Sequence, residues 1–356
     1  MLWLFMIINR KKWYEMTETA KAKKQFLIFL LIAYGLTGVM GILTWYGSTI
    51  PVEMSTFPTA QMFYPAAGVM LAYLLTEWKD SLLPRGFYLC FLLVTVVMVL
   101  LCVLCVLRPE QTVTLMEQPI SLWAVICQYA VIGGSILCWI LFLVSGKKRR
   151  AAYGLGWKQW KLSLLCILTF LILYFGRAAA AYALAGEPGT MAEILKSPES
   201  WTYILFSVVN FFLAFAPFLG EEYGWRYYLQ PRLQKRFGMR KGVLILGVAW
   251  GFWHVFLDFF FYTTPDRGLI MLMSQIINCV TLGIFFAWAY LKTNNIWVPT
   301  ILHFFNNNLA LVIANDYSTE VLENQQVTWS MIPSALLLNG VFFGLFLLSR
   351  EFREKQ

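Results

Sequence analysis

Charge is scarce in this chain. Only 13% of its 356 residues are Asp, Glu, Lys or Arg, against 59% hydrophobic, and the mean hydropathy is +0.64. That balance excludes a water-soluble globular domain. No polar stretch is long enough to fold separately, and no fixed-period repeat or low-complexity segment is present, so solenoids and disordered tails are excluded too. Histidine occurs twice, at His254 and His303. The seven cysteines (Cys90, Cys102, Cys105, Cys127, Cys138, Cys166 and Cys279) all fall within apolar runs, which excludes an extracellular disulfide framework. Cys102 and Cys105 form a CxxC without accompanying ligands and read as inert buried thiols. The start, "MLWLFMIINRKK", places its apolar residues before its charges, the reverse of a secretory signal, and reads as an interfacial segment.

What fills the chain is apolar sequence in runs long enough for membrane helices, about ten of them at roughly 20 residues each, from 26–47 to 331–349. The expected fold is an all-α polytopic bundle of about ten transmembrane helices, within a range of eight to ten. The basic residues set the orientation. Of the 28 lysines and arginines, 24 fall in 1–25, at Lys79 and Arg85, in 146–161, in 226–241, at Lys292 and in 350–356. The alternate loops carry only Arg108, Lys196 and Arg267, and Arg177 lies inside a run. The excess of positive charge on one side predicts that both termini face the cytoplasm of a plasma-membrane protein. The net charge of +9 then faces anionic lipid rather than nucleic acid.

Ionisable groups inside a membrane cost a few kcal/mol each and tend to line cavities, pair or do chemistry. Here they are Glu221, Glu222 and Arg226 in "FLGEEYGWRYYLQPRL", His254 and Asp258 in the next run, His303 two runs on, and Arg177 earlier. At ~1.5 Å per residue, Glu221, His254, His303 and Asn307 lie roughly 10–18 Å from the basic side, so separate helices can deliver them to one layer. Pro217 is a place for a kink. Glu222 and Arg226, at i and i+4, share a face, while Glu221 points about 100° away. Arg226 can therefore neutralise Glu222 and leave Glu221 as a general base on water. His303 and Asn307 are also i and i+4 and could stabilise an oxyanion. Taken singly, each has an ordinary reading: an interfacial ion pair, packed histidines, and asparagines of 306–308 bonding a neighbouring helix. Asp258 and Arg177 read as structural, the latter able to snorkel outward.

Together the motifs carry a resemblance. "EEYGWR" matches an E-E-x-x-x-R pattern, "WGFWH" resembles F-x-x-x-H and "HFFNN" matches H-x-x-x-N, in the order of the CPBP family. These are the CAAX-processing and bacteriocin-processing (Abi) intramembrane proteases, and the surrounding sequence over roughly 200–312 looks like bacterial members. The resemblance implies that Glu221 and His254 activate the attacking water, that His303 and Asn307 hold it or stabilise the oxyanion, and that Glu222 and Arg226 organise the site. Trp250 departs from the motif phenylalanine and is a candidate pocket wall. The family is described both as metalloprotease and as metal-independent glutamate protease. Zinc on Glu221, His254 and His303 is thus possible, but no H-E-x-x-H helix is present and an arginine nearby disfavours a cation, so no metal is expected to be required. No G-x-S-G serine and no G-x-G-D aspartates suggest another intramembrane protease design.

The sequence therefore predicts N-terminal helices over 1–199, a catalytic core over 200–314, and a last helix with its tail over 315–356. The expected function is an endopeptidase that cuts a membrane-tethered, lipidated or prenylated peptide near the cytoplasmic side, in contact with membrane lipids. Two readings compete with it. An ion- or proton-coupled transporter could use the same buried groups as a relay, and a scaffold or immunity protein could retain the motifs without catalysis.

Overall fold

A backbone in lipid must satisfy its own hydrogen bonds, so apolar runs of this kind become helices. The computed structural model describes residues 18–115 and 118–353. The segment 1–12, expected to be interfacial, lies outside the described residues. The chain starts with α1 (Glu18–Gly47), which carries a π-helical stretch at Leu31–Leu36. The short α2 (Thr56–Gln61) and α3 (Tyr64–Thr76) follow, then α4 (Arg85–Leu107). A small antiparallel hairpin of β1 (Thr112–Leu115) and β2 (Gln118–Ser121) pairs Thr112 with Ser121 and leads into α5 (Leu122–Val144). Next come α6 (Lys147–Ala152), α7 (Trp160–Leu184), α8 (Thr190–Lys196) and α9 (Pro198–Ala214). The second half comprises α10 (Ala216–Phe237), α11 (Met239–Trp253), α12 (Val255–Phe260), α13 (Gly268–Thr293), α14 (Trp297–Ala314) and α15 (Met331–Phe342).

The molecule is a polytopic helical membrane protein. Among the described residues, six helices are long and apolar enough to span a bilayer, and a seventh span arises if α9 and α10 are counted together. The other apolar runs take different forms. The run at 60–77 gives the short, mostly buried α3, and the run at 331–349 stops at Phe342 before a 3₁₀ turn. The long helices turn one stripe inward and the other to lipid: α4 buries Phe91, Met98 and Cys102 while Leu93 and Leu100 stay exposed. None of the seven cysteines forms a disulfide. The CxxC thiols donate to backbone carbonyls, Cys105 to Glu53 at 2.9 Å and Cys102 to Thr56 at 3.5 Å, and so fasten α4 to the chain entering α2.

Three features position the second half. The α9–α10 pair bends by 74° just before Pro217, whose ring cannot continue the hydrogen-bond ladder. At Gly220 a Cβ would collide with the Met62 carbonyl oxygen, so α10 lies directly on the α2–α3 corner. Gly247 and Gly251 form a small-xxx-small step on α11 that lets it approach α13: a Cβ at Gly251 would come within 2.7 Å of Ile276 Cα. The N-terminal helix closes the assembly from outside. Its Ala33 carbonyl accepts a 2.7 Å hydrogen bond from the Trp253 indole, and the Tyr34 hydroxyl donates to the Ala249 carbonyl at 3.2 Å.

Candidate active site

Glu221 and Glu222 sit side by side at the end of the first turns of α10, just before a π-helical stretch at Tyr223–Leu229, and both are buried. Their carboxylates diverge as helical geometry requires. Glu221 Oε2 accepts from the Trp250 indole Nε1 at 2.6 Å and from the Trp225 indole Nε1 at 3.3 Å. Glu222 turns the other way, with Oε2 3.0 Å from Arg226 Nε and Oε1 2.9 Å from His303 Nδ1. Since a carboxylate only accepts, His303 Nδ1 is the donor, and its Nε2 is left free.

The Glu222–Arg226 pair is completely buried, both side chains being 0% exposed. Desolvating two charges is costly, and the aromatic rings around this pair add to its own attraction. The guanidinium lies over Trp250 at 4.7 Å and over Phe286 at 5.6 Å. Its terminal amino groups find no acceptor among the described residues, so the aromatic faces stand where acceptors would. With Arg226 set against Glu222, Glu221 is the acid presented to the cavity.

His254 occupies the joint between α11 and α12. Its Nδ1 is 2.9 Å from the Trp250 carbonyl oxygen. A carbonyl cannot donate, so Nδ1 carries the proton and Nε2 holds the lone pair. Trp250 therefore touches both partners, giving its indole N–H to Glu221 and its carbonyl to His254. On α14, one turn separates His303 from Asn307. The Asn307 Oδ1 accepts from Asn306 Nδ2 at 3.0 Å, which leaves the Asn307 amide nitrogen available to a ligand.

These groups converge. Glu221, Trp250, His254, His303 and Asn307 line one cavity of about 410 Å³, with Gln275 and Asn278 of α13 and Tyr174 and Arg177 of α7 on its other walls. Glu222 and Arg226 stand behind it. Asp258 is buried with neither carboxylate oxygen hydrogen-bonded among the described residues, and it does not line the cavity. Arg177, read from the sequence as structural, instead forms part of the cavity wall. Trp225 was not anticipated, although its i+4 spacing from Glu221 is the signal that would have pointed to it. The bond between His303 and Glu222 joins residues 81 positions apart and has no local signature.

Glu221, His254 and His303 are the residues considered for a metal. Among the described residues, no three His, Cys, Asp or Glu side chains are grouped so as to hold an ion. Glu221 Oε2 is taken by two indoles and His303 Nδ1 by Glu222. Glu221, His254 and His303 would have to leave these partners or use their remaining atoms to form a zinc site.

Residues 200–309 match the type II CAAX prenyl endopeptidase Rce1-like family. A CAAX prenyl protease 2 from Methanococcus maripaludis is 28% identical over 108 residues, which are 29% of this chain and 40% of that protein. The chain thus covers less than half the length of this relative. No solved structure matches the present chain.

Proposed function

We propose, from the premise that residues 200–309 carry a domain of the CPBP family of intramembrane proteases, that this membrane protein is an endopeptidase. Its reaction is hydrolysis of a peptide bond in a membrane-associated or prenylated peptide, in the cavity between α10, α11, α13 and α14. The observation that carries the proposal is the double role of Trp250. It anchors Glu221 through its indole and His254 through its carbonyl, and both acid and imidazole face the space that His303 and Asn307 also line.

In this reading a water held between the free oxygen of Glu221 and Nε2 of His254 loses its proton and attacks the scissile carbonyl. General bases of this kind contribute about 10²- to 10⁴-fold. The oxyanion that develops accepts hydrogen bonds from the Asn307 amide and from Nε2 of His303 in its protonated form, with Nδ1 of that ring held by Glu222. Loss of one such donor costs about 10²- to 10³-fold. The proton taken by Glu221 passes to the leaving amine, so the acid is restored. In this reading the substrate reaches the cavity from the membrane, and the excess of basic residues in alternate loops supports cleavage near the cytoplasmic side.

The test is turnover of quenched peptides, some prenylated, by purified protein in liposomes, comparing wild type with His254→Ala and His303→Ala, each with and without chelator. The proposal expects cleavage by wild type with or without chelator, and losses of 10²-fold or more in both variants. Cleavage abolished by chelator and restored by zinc would make the histidines metal ligands instead. Variants as active as wild type would point to a function in which these side chains take no part.

A further inference from the structure

Arg177 lies in the C-terminal third of α7, outside the segment that matches the Rce1-like family, yet it lines the same cavity as Glu221 and His254. An arginine in a membrane span normally pairs with an acid or reaches for the interface. Arg177 has no such acid beside it. No acidic side chain lies within 4.0 Å of it among the described residues, its Nε is buried without a hydrogen-bond partner, and its one charge-related contact is the Tyr174 ring at 5.4 Å. Tyr174 is itself fixed, its hydroxyl donating to the Asn306 carbonyl at 2.8 Å, so the guanidinium is mounted beside the Asn306–Asn307 wall. A fixed cation with its partner missing, on the wall of a reaction cavity, is a receptor for an anion.

Resting on the peptidase reading above, we infer that Arg177 receives the free C-terminal carboxylate of the substrate peptide and so selects chains that end in the cavity. Guanidinium and carboxylate match as fork to fork, and the amides of Gln275 and Asn278 on the adjoining wall suit the peptide backbone. The competing source of the same chemistry is a lipid phosphate. A carboxylate is favoured because Arg177 lines the same cavity as Glu221, where the scissile bond must lie in this reading. Arg177 is then a specificity-determining residue, not part of the hydrolytic step.

The probe is a farnesylated peptide ending in Cys-Val-Ile-Ser, prepared as the free acid and as the C-terminal amide. Binding is measured to the full-length Glu221→Gln protein, which would not turn it over, in detergent, in phosphatidylcholine vesicles and in vesicles containing phosphatidylglycerol. The inference expects the acid to bind on the order of 10- to 100-fold more tightly than the amide in all three, as for a charge-assisted bond. Adding Arg177→Gln should erase the difference, and Arg177→Lys should keep part of it. In wild-type turnover the preference should appear in KM more than in kcat. Equal binding of acid and amide overturns the inference and needs no variant to show it. Binding that is blind to the carboxylate but is changed by phosphatidylglycerol through Arg177 assigns the anion to lipid and also overturns it. Turnover by wild type decides the peptidase reading separately.

Discussion

Replacing Trp250 by phenylalanine installs the residue that the resembled motif carries at this position. It keeps an aromatic wall and the backbone carbonyl that holds His254, and it removes one hydrogen bond, the 2.6 Å donation from the indole to Glu221 Oε2. Hydrogen bonds to a charged group contribute about 1.5–3 kcal/mol. Trp225 remains as a second donor at 3.3 Å, but it is longer and cannot replace the first. If the whole contribution serves to orient Glu221 in the transition state, kcat/KM falls by about 10- to 150-fold at 1.36 kcal/mol per decade. The smaller ring also loses contact with the Arg226 guanidinium, which lies 4.7 Å above the indole, so the melting temperature drops as well. Steady-state cleavage of a quenched prenylated peptide, with thermal unfolding in the same detergent, separates the two effects. Trp225→Phe is the graded comparison and should lose less than tenfold, because its 3.3 Å bond is longer than the usual range. A Trp250→Phe protein within twofold of wild type in kcat/KM would refute the role given to the indole and reduce Trp250 to a wall.

Glu222→Gln leaves Arg226 buried without its counter-charge and weakens the hold on His303, and it should cost about 3–5 kcal/mol of stability, measured by thermal or denaturant unfolding in detergent. Gly251→Val places a side chain against Ile276 and forces α11 from α13; a loss of about 1–3 kcal/mol is expected, with activity falling more steeply because Trp250 and His254 ride on that helix. On the basic side, the Tyr153 hydroxyl donates to Asp80 Oδ2 at 2.6 Å and holds its carboxyl below the usual range. A depressed acid contributes stability above its unfolded pKa of about 4 and loses it as pH falls through the folded value, so Tyr153→Phe should flatten the acid limb of stability against pH.

Much of this site was legible because its signals are local. The i,i+4 spacing of Glu222 and Arg226 and of His303 and Asn307 places each pair on a single helix face, and the common depth of Glu221, His254 and His303 agrees with the cavity they share. The basic loops and apolar runs sufficed for a polytopic bundle. What the sequence left out depends on contacts between distant residues or on the solvent around a helix. An apolar run reads alike whether it faces lipid or protein, so the short, buried α3 resembled a span. Pro217 marked a place for a kink, but the 74° bend also needs the Met62–Pro65 corner on which Gly220 and Gly224 rest. Trp250 read as a wall because its indole acts across 29 residues, and Arg177 read as a snorkelling cation because only the fold turns it into the cavity.

The central claim is that Glu221 activates water for peptide hydrolysis, and the most direct measurement is cleavage of the farnesylated acid peptide in ¹⁸O-labelled water by wild type and Glu221→Gln in liposomes, read by mass spectrometry. The account predicts one labelled oxygen in the new carboxyl group with wild type, a fall of about 10²-fold or more in rate for a variant with unchanged melting temperature, and no effect of chelator on wild type. A Glu221→Gln protein that cuts the peptide at the wild-type rate would contradict it.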